Sequence, residues 1–333
     1  MFNNKIILVT GATGSFGKKF CEKLSKDYKP KKIIVFSRDE LKQFEMAKIF
    51  NKKNFRYFIG DIRDSERLNL AMRKVDIVVH AAAMKQVEIS EYNPLECIKT
   101  NINGAENVIK AAINNKVKKV IALSSDKAVS PLNLYGATKL ASEKLFIAAN
   151  NVAAGETIFS IVRYGNVSGS RGSIIPYFQQ LVENKASFLP VTNLDMTRFF
   201  MLQDDAVKFV FISLKRMQGG EIFIPKLYSF KITDLVKAMT TKKIKIVGIR
   251  PGEKIHEILY SEDESKYIIE FKDHYLMPPL INLTKKKNFL INKLGEKGKK
   301  ISTIKGYSSR DSKLLSISNI RIILREKLFN QKI

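Results

Sequence analysis

The sequence predicts an α/β protein, a doubly wound parallel sheet followed by a smaller C-terminal lobe. Three observations carry this prediction. Six short apolar runs in the first half show no polar alternation, as expected of strands buried on both faces. Helical patterns separate these runs, and strands alternating with helices give a parallel sheet. After residue 164 the alternation ends, and short mixed elements follow with turn signals at 169–172, 219–220 and 251–252.

Taken in order, strands are expected at residues 5–10 (KIILVT), 32–37 (KIIVFS), 55–60, 76–81 (DIVVHA), 119–124 (KVIALS) and 159–163. Helices are expected at 16–26, 40–51, 65–72, 94–115 and 133–150. The first domain spans 1–165, and the chain returns through it at about 199–226. The smaller lobe takes 166–198 and 227–285. Residues 286–333 form a basic tail to which the pattern assigns no structure.

Composition narrows the class. With 333 residues, 45% hydrophobic and 27% charged, the chain has the material for a folded core. No run approaches the roughly 18 apolar residues of a membrane span, and no signal peptide precedes the first strand. Cys21 and Cys97 give no disulfide framework, and His80, His256 and His274 lie too far apart to suggest a metal site. A cytoplasmic protein without metal is the expectation. The net charge of +26 is scattered in doublets such as Lys18-Lys19, Lys52-Lys53 and Lys242-Lys243, which read as solvated faces rather than a nucleic-acid surface. It also suits an anionic ligand.

The first strand runs into Thr10-Gly11-Ala12-Thr13-Gly14-Ser15-Phe16-Gly17. Glycines there permit a tight turn and let backbone N–H groups reach a pyrophosphate at the next helix N-terminus. With a strand before it and a helix after, this is the phosphate turn of a Rossmann-type domain, and Gly11, Thr13, Gly14, Ser15, Phe16 and Gly17 are cofactor candidates. The second strand ends in Ser37-Arg38-Asp39-Glu40-Leu41-Lys42. Ser37 and Arg38 stand where a 2′-phosphate would reach, so NADP is the expected cofactor, with Lys42 in the same run as a further candidate. The alternative is NAD, with Asp39 as the ribose acid. Asp61 and Ile62 end the third strand, and Ala81 and Ala82 the fourth, each in a position to line the cofactor.

Tyr135 and Lys139 are four residues apart on one helix face. An ammonium beside a phenol lowers its pKa, which makes Tyr135 a base for a hydroxyl whose carbon loses hydride. Together with the glycine turn and Asp61, this pair resembles the extended short-chain dehydrogenase/reductase family. Longer runs narrow the resemblance: 37–42, 80–85, 125–128, 133–139, 163–167, 169–173, 196–199 and 250–254 are similar to the inverting UDP-N-acetylglucosamine 4,6-dehydratases that begin pseudaminic acid synthesis. The likeness covers about residues 3–275 and fades in the tail. It implies NADP held tightly, UDP-N-acetylglucosamine as substrate, and a homo-oligomer. Met201-Leu202-Gln203 departs from the more polar stretch of relatives.

Asp126-Lys127 is the discriminating dipeptide, since retaining dehydratases of the family carry Asp-Glu there. Oxidation at C4 acidifies the C5 proton; elimination then needs a base at C5 and an acid at the C6 hydroxyl. Lys127 is the expected base, its pKa depressed by burial near Lys139, and Asp126 the acid. The resemblance further places Lys85 at the cofactor or the sugar, with Ser125 and Asn166 at the substrate. It makes Arg171, Arg198 and Arg250 diphosphate clamps and sets Glu253 at the uridine ribose. Two rival readings stay open: a 4-epimerase sharing Tyr135 and Lys139, and a non-catalytic NADP-binding sensor or nucleic-acid binder.

Overall fold

The structure, a computed structural model, describes residues 1–170, 172–281 and 287–329. The first half alternates β1 (Ile6–Thr10), α1 (Ser15–Asp27), β2 (Lys32–Ser37), α2 (Glu40–Ile49), β3 (Phe55–Ile59), α3 (Ser65–Ala71) and β4 (Ile77–His80). There follow α4 (Val87–Tyr92), α5 (Pro94–Ile98), α6 (Gly104–Asn114), β5 (Lys119–Ser125), α7 (Leu134–Val152) and β6 (Ile158–Tyr164). Asp39, Asp64 and Asn133 each accept a backbone N–H at the start of α2, α3 and α7, and these caps fix where the helices begin. The single helix expected over 94–115 is interrupted by a π-turn at Lys99–Asn103, and the short α4 was not legible in the pattern.

The second half runs β7 (Val167–Ser168), α8 (Ile174–Glu183), β8 (Phe188–Val191), β9 (Thr197–Leu202), α9 (Gln203–Arg216), β10 (Ile222–Pro225), β11 (Tyr228–Lys231) and α10 (Ile232–Met239). It continues with β12 (Lys243–Ile246), β13 (Ile258–Tyr260), α11 (Glu262–Ser265), β14 (Ile269–Glu270), β15 (His274–Met277), β16 (Lys299–Lys300), β17 (Tyr307–Ser308) and α12 (Ile317–Ile323).

The main sheet has the order β16-β14-β15-β10-β6-β5-β4-β1-β2-β3. From β3 to β10 every neighbouring pair is parallel. Order 3-2-1-4-5-6 is that of the Rossmann fold, with its switch point between β1 and β4. Apolar side chains cover both faces, with Val9, Phe20 and Phe211 on one and Leu8, Val78 and Phe146 on the other. A third core, including Ile175, Leu189 and Leu235, holds the smaller lobe together.

The chain returns to the first half's sheet and helices through α9, which packs on α1, and β10. Two features depart from the expected division. β14 and β15, within the 227–285 stretch, extend the main sheet in antiparallel fashion instead of building the lobe. The described residues of the tail are ordered: β16 ends that sheet, β17 pairs with β13, and α12 packs on α10. Such contacts join residues far apart in sequence, so no local pattern announces them. No helix among the described residues is long and apolar enough to cross a membrane. No group of three or more His, Cys, Asp or Glu among them could hold a metal ion.

Candidate active site

A cleft of ≈ 1010 Å³ opens at the carboxyl ends of the parallel strands, where a doubly wound sheet places its ligands, and is closed on the far side by residues of the smaller lobe. One end is built from the glycine turn. Gly11 has φ +62°, and a Cβ there would lie 2.8 Å from Ala82 Cα, so only glycine lets the turn pass so near the end of β4. α1 then starts at Gly14 without a side-chain cap, which suits an anionic group at its N-terminus. Gly11, Thr13, Gly14, Ser15, Phe16 and Gly17 all line the cleft. This turn, with a helix N-terminus aimed along it, fits the pyrophosphate of a dinucleotide.

Ser37, Arg38, Asp61, Ile62, Ala81, Ala82 and Lys85 also line it. The Ser37 hydroxyl lies 2.8 Å from that of Thr13, and the Arg38 guanidinium stands 3.8 Å from Asp61, most of its side chain in solvent. Burial would raise the Asp61 carboxyl, but hydrogen bonds from Arg63 hold it below the usual range. Asp39 caps α2, accepting the Lys42 N–H at 2.9 Å and pairing with the Lys42 ammonium. Neither Asp39 nor Lys42 is among the cleft-lining residues, so Lys42 sits apart from the other cofactor candidates. Between β1 and β4, His80 Nδ1 lies 2.8 Å from the Thr10 hydroxyl, and burial pushes this imidazole down to about 3.

The reactive end forms where β5 runs out. Ser125 accepts the Lys127 N–H at 3.2 Å and donates to Asp126 Oδ1 at 2.9 Å, winding Asp126–Ala128 into a 3₁₀ turn. α7 presses on that turn so closely that a Cβ at Gly136 would lie 2.1 Å from the Lys127 carbonyl oxygen. Lys127 Nζ lies 3.2 Å from Asp126 Oδ1 and 3.0 Å from Glu257 Oε1. Asp126 Oδ2 and Glu257 Oε2 are buried without a hydrogen-bond partner, and both residues line the cleft.

These contacts correct two expectations. Burial does act to depress Lys127, but the carboxylates of Asp126 and Glu257 outweigh it and hold the ammonium well above its ordinary range. Nor is Tyr135 lowered: burial pushes the phenol up, and it is Ser125 and Lys127, not Lys139, that oppose the rise. Lys139 donates to the Leu123 carbonyl at 2.6 Å, and burial brings it down to about 8. Asp126 is raised, chiefly by its own burial and against the pull of Lys127. All four expected catalytic residues nevertheless meet in the one cleft.

Asn166, Ser125, Arg198, Arg250 and Glu253 line the cleft, while Arg171 falls outside the described residues. The Asn166 Oδ1 is buried and unpartnered. Arg198 is almost fully buried, with its guanidinium donating to the Thr197 and Ile255 carbonyls and to Glu253. It braces the 253–257 segment from within. Arg250 is the open guanidinium, over half exposed and 3.6 Å from Glu88. Asn133 ties α7 to this segment by donating to the Gly252 carbonyl at 2.8 Å. The sequence reading missed Lys254, although it lies in the run 250–254 that nominated Glu253, and Glu257, three residues beyond that run.

The strand order, the glycine turn and the helix bearing Tyr135 and Lys139 define an extended short-chain dehydrogenase/reductase. Residues 7–279 match the model of the polysaccharide biosynthesis protein family, and the chain belongs to that family. It is 58% identical over 317 residues to the UDP-N-acetylglucosamine 4,6-dehydratase (inverting) of Campylobacter jejuni subsp. jejuni serotype O:2, covering 94% of this chain and 95% of that protein. It is 40% identical over 335 residues to the UDP-glucose 4-epimerase of Rickettsia massiliae, covering 97% and 96%. Among solved structures, Pen from Bacillus thuringiensis matches with a TM-score of 0.88 at 40% identity, covering 98% of this chain and 99% of that one.

Proposed function

We propose that this protein is a UDP-N-acetylglucosamine 4,6-dehydratase that inverts C5. One observation carries the reading beyond the identity to such enzymes: a buried carboxyl and an amine, Asp126 and Lys127, sit in contact at the end of β5 in the same cleft as Tyr135. A 4-epimerase needs only the Tyr135 end, because it breaks no bond at C5 or C6. When bound, a nicotinamide dinucleotide takes up the C4 hydride and gives it back at C6.

The chain's own residues do the rest. Tyr135 takes the O4 proton as the C4 ketone forms, next to the ammonium of Lys127. The ketone makes the C5 proton acidic. Passage of one proton from Lys127 to Asp126, across 3.2 Å, turns a charged pair into a neutral amine and a carboxylic acid. No net charge is created in a buried site by that transfer, which keeps its cost low. The amine then takes the C5 proton while the acid protonates the departing C6 hydroxyl as water, and the ion pair is restored. As hydride arrives at C6, a proton that has exchanged with solvent reaches C5 from the opposite face and inverts the centre, and Tyr135 releases the O4 proton to solvent, which balances the cycle.

The cofactor is NADP in this reading. What supports it is that Asp39, the alternative ribose acid, is engaged as the cap of α2, while Arg38 faces the cleft with its fork in solvent. Charge-assisted bonds of this kind contribute about 1.5–3 kcal/mol. Arg38→Ala should therefore weaken NADP binding to the cofactor-stripped protein by about tenfold or more, leaving NAD binding unchanged; equal loss for both dinucleotides would remove the 2′-phosphate from the site. In this reading Arg250 and Glu253 meet the UDP diphosphate and ribose, and Asn166 the sugar, all three lining the cleft. Action as a cytoplasmic homo-oligomer supplying pseudaminic acid synthesis belongs to the same proposal, drawn from the family resemblance. Product analysis tests the whole: a C6 methyl, a C4 ketone and the loss of one water are expected, and a C4 epimer alone contradicts it.

A further inference from the structure

Glu257 has no part in the scheme so far, yet it faces the reacting centre. Its carboxylate is buried beneath the cleft, one oxygen 3.0 Å from Lys127 Nζ and the other without a partner. Its backbone is pinned by the C-terminal tail: the Glu257 N–H donates to the Ser309 hydroxyl at 3.0 Å, and the Ser309 N–H donates to the Glu257 carbonyl at 2.8 Å. Ser309 in turn lies 2.7 Å from the Thr197 hydroxyl, so strand β9, the tail and residue 257 are locked in register. A carboxylate so firmly placed, in a site that already contains an acid and a base, calls for a role.

We infer that Glu257 is a positioning residue for the elimination, anchoring the ammonium of Lys127 opposite Asp126 and so keeping one proton on that pair. The inference rests on the dehydratase reading above. Its logic is electrostatic. The scheme works only while the pair holds a single shared proton, as either the ion pair or the neutral couple. The charged and titratable groups facing Lys127 and Glu257 are Asp126, Tyr135, Arg198 and Lys254. Arg198, 3.7 Å from Glu257, and Lys254 are cations, and each works against protonation of the pair. Glu257 is the anion that offsets them. It favours the protonated form of both partners, raising Asp126 as well as Lys127. Without it, the shared proton leaves at lower pH and Asp126 has no proton to give to O6.

The sign of the pH effect follows. Wild-type elimination should hold its rate into the alkaline range, because the pair keeps its proton there. Glu257→Gln removes the counter-charge without changing shape, and the alkaline fall in elimination should move to lower pH by about one unit or more. Glu257→Asp, whose carboxylate is withdrawn by one methylene, should shift it in the same direction but less.

Single-turnover absorbance of the reduced nicotinamide, measured across pH, separates the steps. Its rise reports C4 oxidation, in which Tyr135 is the base beside the Lys127 ammonium, and should move less with pH than the decay in both variants. Its decay reports elimination and hydride return, and should carry the shifted limb. A merely structural role for Glu257 would depress both phases alike or neither. Decay limbs that coincide in wild type, Glu257→Asp and Glu257→Gln overturn the inference alone. A wild type that forms only the C4 epimer overturns the dehydratase reading and this inference with it. Should Glu257→Gln fail to bind cofactor, the Glu257→Asp shift decides the matter.

Discussion

Lys127→Ala is expected to lower the dehydration rate by about 10³-fold or more while the nicotinamide dinucleotide remains bound, since a positioned acid–base group contributes about 10²–10⁴ in rate. The variant deletes the amine in contact with Asp126 that exchanges a proton with it on the way to C5. It also leaves the Asp126 and Glu257 carboxylates buried without their shared cation. The glycine turn lies at the other end of the cleft and is untouched. Reduced nicotinamide should accumulate on mixing with substrate, though more slowly than in wild type, because Tyr135 keeps its bond with Ser125 but loses the neighbouring ammonium, and the block falls at the later C5 step. Turnover near the wild-type level would remove Lys127 from the mechanism.

The second large effect is on stability. Arg163, in β6, is 1% exposed and holds Glu143 of α7 through two bonds, at 3.0 and 2.7 Å. Its remaining donors reach the Leu259 carbonyl and Glu264 at the start of α11. One guanidinium thus joins the strand that leads to Asn166, the helix that carries Lys139, and the segment that follows Glu257. Removing one partner of a buried pair leaves an uncompensated charge and costs about 3–5 kcal/mol. Arg163→Ala should lose about that much in urea unfolding, and the cleft should loosen with it. The double variant Arg163→Met, Glu143→Leu should regain much of the loss, because no lone charge is then buried. A single variant as stable as wild type would mean that the pair contributes little.

Much of this architecture could be read locally. Val9, Val35 and Val79 belong to runs that are apolar throughout, so the parallel sheet announces itself strand by strand. The glycine turn and the Tyr135/Lys139 spacing are equally short-range signals, and both fall where the sequence puts them. What escaped depends on contacts between distant segments. Lys300 joins Ile269 across the sheet edge, a pairing no nearby residue encodes. Glu257 and Lys127 are far apart in sequence and meet only because the 253–257 segment folds over α7 through Asn133 and Gly252. For that reason the charge state of Lys127 is not legible in the sequence, which sets Lys139 near the amine, whereas two carboxylates decide it. Arg198 shows the converse. Its type suggested a phosphate clamp, but burial and three internal acceptors make it a brace.

The account depends on a proton leaving C5 and another arriving there from the opposite side. Conversion of UDP-N-acetylglucosamine in deuterated water, followed by NMR, tests this most directly. The expected product carries one deuterium at C5, an inverted configuration at that carbon, a C6 methyl and a C4 ketone. A C4 epimer with hydrogen retained at C5 would contradict it.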